Sequence, residues 1–559
     1  MISRGSSNVP QLCTDAGRID SELETLVIYT QRAGYDEACN QPTQYTHDPA
    51  NDIDCEKSAC QIFLSLGRHS SICEEEILLA TGSHAPTLCF CSEYQLVPAW
   101  PRLFCGTMGD RENECERGSD ITQEAEIRGP SPLRRLAPLL QVPEIVWLAG
   151  GLPNAAMFPI KSLSAKLTDG TEIEMELGAE DKALYTSQQY MTESQGLPSL
   201  VAWCERHTVM LHGELPQHRV MLTAGSTASA DIAMRILLEK GDIVLTEEYT
   251  YPNFVASVKP LGVRVSAITM DSEGMSATAL EAAITDIRAE GHMNERIVLY
   301  IGTTGQNPTG HSYSANRLHE IYAVAQKFDI IIIEDDPYLY LSFPSTAGDG
   351  DPPPPGLFGL KRRSEGHGRC CSLLSIDTDA RVLRMDTFSK FIAPGLRCSW
   401  MTLPERLMKP AVYASQYSTQ TGSSLSQVLL MKMLEAWGDD GLHAHLAQLQ
   451  TFYHSRLQAL ESAAKKHLTG LATWKTPDAG MFVWIKLDGI GDSEELMDML
   501  KAEKVAVVPG KYFMSEADPN VNEFVPCPFI RVAFTVATDA DFDAAFIRLA
   551  RILRKYEQK

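Results

Sequence analysis

From about residue 118 onward, short apolar runs alternate with amphipathic stretches along the chain. Arg219–Thr223, Asp242–Glu247, Val263–Thr269, Arg296–Ile301 and Asp329–Glu334 are rich in aliphatic and β-branched residues and are predicted strands. Between them, Thr278–Ala289 and Ala315–Lys327 carry apolar residues at helical spacing. Strands and helices alternating at this spacing predict βαβ units and a mostly parallel sheet. Ile330–Ile333 shows no polar alternation, which fits a strand covered on both faces. One more strand is predicted at Arg381–Met385.

After Pro404 the pattern changes. Leu425–Trp437 and Leu442–His467 read as two helices, followed by short strands at Met481–Leu487, Val505–Val508 and Phe529–Phe534 and a last helix at Asp541–Tyr556. The expected fold class is therefore α/β: a large domain with a mostly parallel central sheet flanked by helices, plus a smaller α+β C-terminal domain. The Pro-, Gly- and charge-rich Ser345–Gly368 is expected to be a surface insertion. No apolar run approaches the ~20 residues of a membrane-spanning helix. Met1–Leu12 lacks the apolar core of a secretory signal, so a cytoplasmic location is expected.

Composition separates the first fifth of the chain from the rest. The net charge is −23, and residues 1–120 hold 8 Lys+Arg against 19 Asp+Glu. Nine of the fourteen cysteines also precede residue 120. Phosphate backbones are held by clustered cations, so nucleic acid is not an expected partner. Cys55-x4-Cys60 and Cys89-x-Cys91 do not form the repeated pairs of a zinc module, and no metal is expected. Residues 1–118 are read as an unassigned acidic, cysteine-rich extension, expected to be poorly structured. The remaining divisions are 119–190, 191–404 and 405–559.

The candidate chemistry gathers at predicted strand ends. Asp386-Thr-Phe-Ser-Lys390 follows a strand, and Gly395-x-Arg397 comes soon after. A lysine buried beside cations has a depressed pKa and can form imines with carbonyl compounds. Ser389-Lys390 alone would also fit a solvent-facing turn. Asp335-Asp-Pro-Tyr338 ends the buried strand, where ligands of open α/β sheets sit. A carboxylate there could pair with a protonated pyridine nitrogen. Asn307-Pro-Thr-Gly310 is by itself a turn, but its amide could reach a phenolic oxygen. Ala224-Gly-Ser226-Thr227 joins a strand to a helix and could cradle a phosphate. Tyr251 could stack on a planar ring, and Arg531 could clamp a carboxylate through two parallel hydrogen bonds.

In this order these motifs resemble the fold-type-I aminotransferases of class I/II. The resemblance is nearest to the kynurenine/2-aminoadipate and fungal aromatic aminotransferases. Leu148-Ala-Gly-Gly151-Leu-Pro-Asn154, Gln189-Tyr190, Gly196-Leu-Pro and Ala479-Gly-Met-Phe-Val-Trp-Ile485 carry the nearer likeness. It spans roughly residues 128–557.

The resemblance implies pyridoxal 5′-phosphate as cofactor, with Lys390 as covalent anchor and proton carrier and Asp335 facing the ring nitrogen. Asn307 and Tyr338 would bind the ring hydroxyl, and Tyr251 would stack on the ring. Ser226, Thr227, Thr387, Ser389 and Arg397 would surround the phosphate. Arg531 would hold the substrate α-carboxylate, with Gly151 and Asn307 lining the same pocket. Residues 119–190 would contribute to the pocket and to a homodimer, with Tyr190 reaching across to the neighbouring site. Arg134 or its neighbour Arg135 would meet the substrate side chain.

The implied reaction is ping-pong amino transfer from an aromatic amino acid, 2-aminoadipate or kynurenine to a 2-oxo acid such as 2-oxoglutarate. Two alternatives share the fold: a lyase or decarboxylase, and an aminotransferase-like transcription regulator. The acidic N-terminal region argues against the regulator, whose DNA-binding domain would be basic.

Overall fold

The computed structural model describes residues 120–557 apart from 133, 135, 137–138, 140–141, 147, 149–150, 192, 344–355, 357–371 and 516–524. It also describes the backbone of Thr25–Arg32, Thr43–Thr46, Glu75–Ala80 and Cys89–Phe90. Arg135, most of the expected insertion at 345–368 and most of the acidic extension thus lie outside the described residues. The chain divides into two compact units, Met1–Glu116 and Arg117–Lys559. In the first, the four strands just named form an antiparallel sheet.

The second unit is built on seven strands: β1 (His218–Thr223), β2 (Ile243–Glu247), β3 (Arg264–Ile268), β4 (Ile297–Ile301), β5 (Ile331–Asp335), β6 (Val382–Thr387) and β7 (Ser399–Pro404). Their order is β1-β7-β6-β5-β4-β2-β3. Only β7 runs against its neighbours, β6 and β1. The expected mostly parallel sheet is present. Sequence reading passed over β7, because Ser-Trp-Met-Thr-Leu-Pro neither alternates nor forms a pure aliphatic run.

Each face of the sheet carries its own core. On one, Val244, Val298, Tyr300, Ile333 and Met385 pack beneath α1 (Ser226–Leu237), which contributes Ile232, Ala233 and Ile236. On the other, Leu245, Leu299, Ile332 and Val382 meet α2 (Ala277–Ala289) and α3 (Ala315–Phe328) through Leu280, Ile284, Leu318 and Ile321. Ser276 and Ser314 cap these helices by accepting from the Ala279 and Arg317 amides. Alternate residues of one strand therefore serve opposite cores.

The two helices expected after Pro404 are present, meeting at a kink at Gly438 (φ 58°) within one run, α4 (Ser424–Leu468). Its first half places Leu430, Leu434 and Leu446 against Leu222, Phe388 and Trp400 beside the central sheet. Its second half gives Leu457, Leu460 and Ala464 to the smaller core. The smaller sheet comprises β8 (Ala472–Trp474), β9 (Phe482–Leu487), β10 (Val508–Pro509) and β11 (Phe529–Ala533), with α5 (Asp539–Glu557) packed on it. Of the strand expected at Val505–Val508, only Val508 pairs.

Residues 142–190 differ from all of this. They include an antiparallel pair, Ser162–Lys166 with Glu172–Glu176, and expose large apolar side chains. No described helix is long and apolar enough to cross a membrane.

Candidate active site

Strand parity sorts the acids at the end of β5. Asp335 shares a face with Ile333, whereas Glu334 and Asp336 go to the other side. There the guanidinium of the fully buried Arg384 meets Glu334 at 3.2 Å, Asp336 at 2.9 Å and Asp386 at 2.9 Å. Thr303 and the amides of Leu373 and Leu374 donate further hydrogen bonds to Glu334. This buried network ties β5 to β6 and fixes the strand ends.

Asp335 is held differently. Its Oδ2 accepts a 2.6 Å hydrogen bond from the Tyr300 hydroxyl, while its buried Oδ1 has no partner. Burial raises its pKa to about 6, against the pull of the Tyr300 hydrogen bond. Asp336 and Asp386 push it further up, and Arg384 pulls it down. An acceptor oxygen left open in a buried site is costly unless a ligand supplies the donor.

Lys390 follows β6 in a turn organised by hydroxyls. Thr387 Oγ1 accepts from the Ser389 amide at 3.1 Å and from Ser399 Oγ at 2.7 Å. The Lys390 ammonium stands 5.8 Å from the centre of the Tyr338 ring. Burial lowers its pKa, Asp335 opposes that shift, and Arg397 and Arg531 add to it. An amine tuned this way is more readily deprotonated and nucleophilic. Tyr338 is itself buried, edge-on to Phe482. Burial and then the Asp335 charge push its phenol pKa up.

The β1–α1 junction supplies an anion cradle. Gly225 caps α1 with no side-chain hydrogen bond, so the first amides of the helix stay open. Ser226 and Thr227 are the first two helical residues. Arg397 lies alongside, its Nη2 3.4 Å from the Ala224 carbonyl. The φ of +95° at position 225 favours glycine, and a Cβ there would push aside the guanidinium end of Arg397. Ser226 Oγ approaches Ser399 Oγ at 3.5 Å, linking the cradle to the lysine turn.

Arg531, on β11, donates from Nη1 to Asn307 Oδ1 at 2.7 Å. Phe482 and Phe513 flank its guanidinium at 4.1 and 4.7 Å. Its buried Nε has no partner. Tyr251 precedes the helix Pro252–Val258 and is partly buried against the core of the sheet, its hydroxyl accepting from Asn253 at 2.9 Å.

The structure thus brings together Lys390, Asp335, Tyr338, Asn307, Arg531, Tyr251 and the Ser226–Thr227–Arg397 cradle. Gly151 and Tyr190 lie apart, both exposed, Tyr190 by 62%. Arg134 is half-buried, with Nη1 donating to the Met191 carbonyl at 2.6 Å. Sequence reading missed Tyr300 and the Phe482–Phe513 cage. Tyr300 left one faint signal, a phenol within the aliphatic run Ile297–Ile301.

These residues fit pyridoxal phosphate on their own geometry. An open carboxylate oxygen suits a protonated ring nitrogen, an activated lysine suits the aldehyde, and a helix N-terminus with arginine suits the phosphate.

Comparison with known proteins agrees. The family "Aminotransferase class I and II" matches residues 198–548. The mouse mitochondrial kynurenine/alpha-aminoadipate aminotransferase is 33% identical over 450 residues, covering 78% of this chain and 98% of that protein. An aromatic amino acid aminotransferase of Schizosaccharomyces pombe is 31% identical, with 78% and 97% covered. The crystal structure of aminotransferase Aro8 from Candida albicans superimposes with a TM-score of 0.68 at 27% identity, covering 78% of this chain and 97% of that one. The chain belongs to the class I and II aminotransferases, the fold-type-I transaminases that depend on pyridoxal phosphate.

Proposed function

We propose that this protein moves the amino group of an aromatic amino acid, kynurenine or 2-aminoadipate to a 2-oxo acid, with 2-oxoglutarate as the favoured acceptor. The observation that carries the reading is Arg531, tied to Asn307, caged by two phenylalanines and close enough to Lys390 to depress its pKa. A fixed guanidinium among aromatic rings can hold an α-carboxylate while an aromatic or long aliphatic side chain packs beside it. Relatives named for kynurenine, alpha-aminoadipate and aromatic amino acids support the same substrate class.

Each residue has a task in this reading. The bound cofactor supplies the electron sink. Asp335 holds a proton on the ring nitrogen through Oδ1. Asn307 and Tyr338 orient the ring hydroxyl, and Tyr251 covers the ring face. Ser226, Thr227, Thr387, Ser389 and Arg397 anchor the phosphate. Lys390 first holds the cofactor, then carries the proton from the substrate Cα. The two halves of the reaction use the same site in turn, giving ping-pong kinetics.

Residues 142–190 complete the site through a second copy of the chain. Val146, Leu148 and Met157 are 79%, 90% and 82% exposed, and Tyr190, later in the chain, is exposed as well. Contiguous exposed apolar side chains mark interaction surfaces. A homodimer would cover them and bring Gly151 and Tyr190 to a pocket. Arg134, just before this segment, would face the substrate side chain. A cytoplasmic location is retained as part of the proposal, with cell fractionation as its test.

The substrate claim is tested by assaying Phe, Tyr, kynurenine and 2-aminoadipate with 2-oxoglutarate. Stoichiometric formation of glutamate with at least one of them is expected. Activity confined to alanine or aspartate overturns the substrate class. Product release without amino transfer would instead indicate a lyase.

A further inference from the structure

Tyr300 sits on β4 with Ile333 of β5 as its register partner, so it shares a face with Ile333 and, two residues on, Asp335. Its ring is buried and lies flat on Phe254, with centroids 3.6 Å apart and planes 7° from parallel. A phenol hydroxyl lies in the plane of its ring, so the stack sets where that hydroxyl can be. It is set 2.6 Å from Asp335 Oδ2. The other carboxylate oxygen is the one without a partner.

We propose that Tyr300 is a positioning residue for the cofactor: it clamps Oδ2 of Asp335 and thereby presents Oδ1, as a carboxylate, to the ring nitrogen. The inference rests on the assignment of Asp335 to that nitrogen. A free carboxylate at a strand end could rotate and offer either oxygen. With Oδ2 engaged, one acceptor of fixed direction remains, and hydrogen bonding to an ionised group is stronger than between neutral partners. Loss of the hydroxyl would also leave Oδ2 buried and unpaired.

The groups acting on Asp335 make such a clamp useful. Asp336, the next residue after β5, and Asp386 on β6 repel its charge, and Arg384 on β6 only partly compensates. Glu247 at the end of β2 is coupled to Asp335 as well, and Lys390 lies within its field. Tyr300 is the direct hydrogen-bond donor to this carboxylate among the described residues, and it favours the ionised form.

The test is a double-mutant cycle read on cofactor binding. Cofactor-free wild type, Y300F, D335N and the double variant are titrated with pyridoxal phosphate, following the visible band of the lysine-bound cofactor. Y300F keeps the ring stacked on Phe254, and its melting transition serves as a folding control. Y300F is expected to bind the cofactor ~10-fold more weakly, the loss of one charge-assisted hydrogen bond. D335N should bind more weakly still, and the double variant should match D335N within ~2-fold, because Tyr300 acts only through Asp335. In Y300F the pH at which the visible band changes should also move, a change that a packing role alone would not produce. Wild-type affinity and band in Y300F, or fully additive losses in the double variant, would overturn the inference. If wild type forms no visible band at all, the assignment of Asp335 and Lys390 fails instead.

Discussion

The central sheet buries its apolar side chains on both faces, whereas residues 142–190 bury Ile173, Met175 and Leu184 but leave Val146, Leu148 and Met157 to solvent. On β2, every residue from Ile243 to Glu247 is buried. In the N-terminal segment, Leu148 is 90% exposed. The sheet is complete within one chain, and so are the groups it positions: Lys390, Asp335, Tyr338 and the Gly225–Arg397 cradle. The residues expected from the segment, Gly151 and Tyr190, instead face solvent. The difference separates cofactor chemistry, which one chain can arrange, from the substrate pocket, which we assign to two.

Charging the exposed segment gives the largest expected effect. V146D with L148D would bury two carboxylates at a dimer contact, a penalty of several kcal/mol per ion. The variant should sediment as a monomer and lose at least ~10-fold in turnover, while its cofactor band stays at wild-type strength. An unchanged sedimentation coefficient would remove the segment from the interface and erase the contrast between the two regions.

A smaller effect sharpens the other side of the contrast. The site stores unfavourable charge, since Asp335 has a pKa of about 6 against an ordinary 3.8. A carboxyl group whose folded value is raised destabilises the fold when ionised. That cost is absent below pH 3.8 and grows as pH rises through 6, reaching at most about 3 kcal/mol. Cofactor-free D335N should therefore melt above cofactor-free wild type at pH 8, and the gap should close near pH 4. With cofactor bound the order should reverse. Equal melting temperatures of the cofactor-free proteins at pH 8 would show that Asp335 carries no such strain.

The sheet was largely legible in the sequence because its strands are continuous aliphatic runs bounded by polar turns. The site motifs were legible for a related reason: each falls where such a run stops, as with Asp335 after Ile331–Glu334. Interactions between elements were not. Tyr300 reads as one more core residue of Ile297–Ile301, and only the parallel register of β4 and β5 brings it to Asp335. Arg384 looks like a polar residue in a strand, yet its three carboxylate partners come from the end of β5, the residue after it, and β6. By contrast, the two helices on either side of Gly438 were legible, because Gly-Asp-Asp-Gly interrupts the periodicity where the backbone leaves helical geometry. Antiparallel β7 escaped because its mixed composition follows neither strand pattern.

The central claim is that Lys390 is the group on which cofactor and reaction depend. Its most direct test is the visible spectrum of wild type and K390A, each incubated with pyridoxal phosphate and titrated with kynurenine, 2-aminoadipate and phenylalanine. Wild type should show the lysine-bound band and lose it as a donor converts the cofactor to its amino form. K390A should lack that band and turn over at least ~100-fold more slowly. A K390A protein that kept both the band and full turnover would contradict the account.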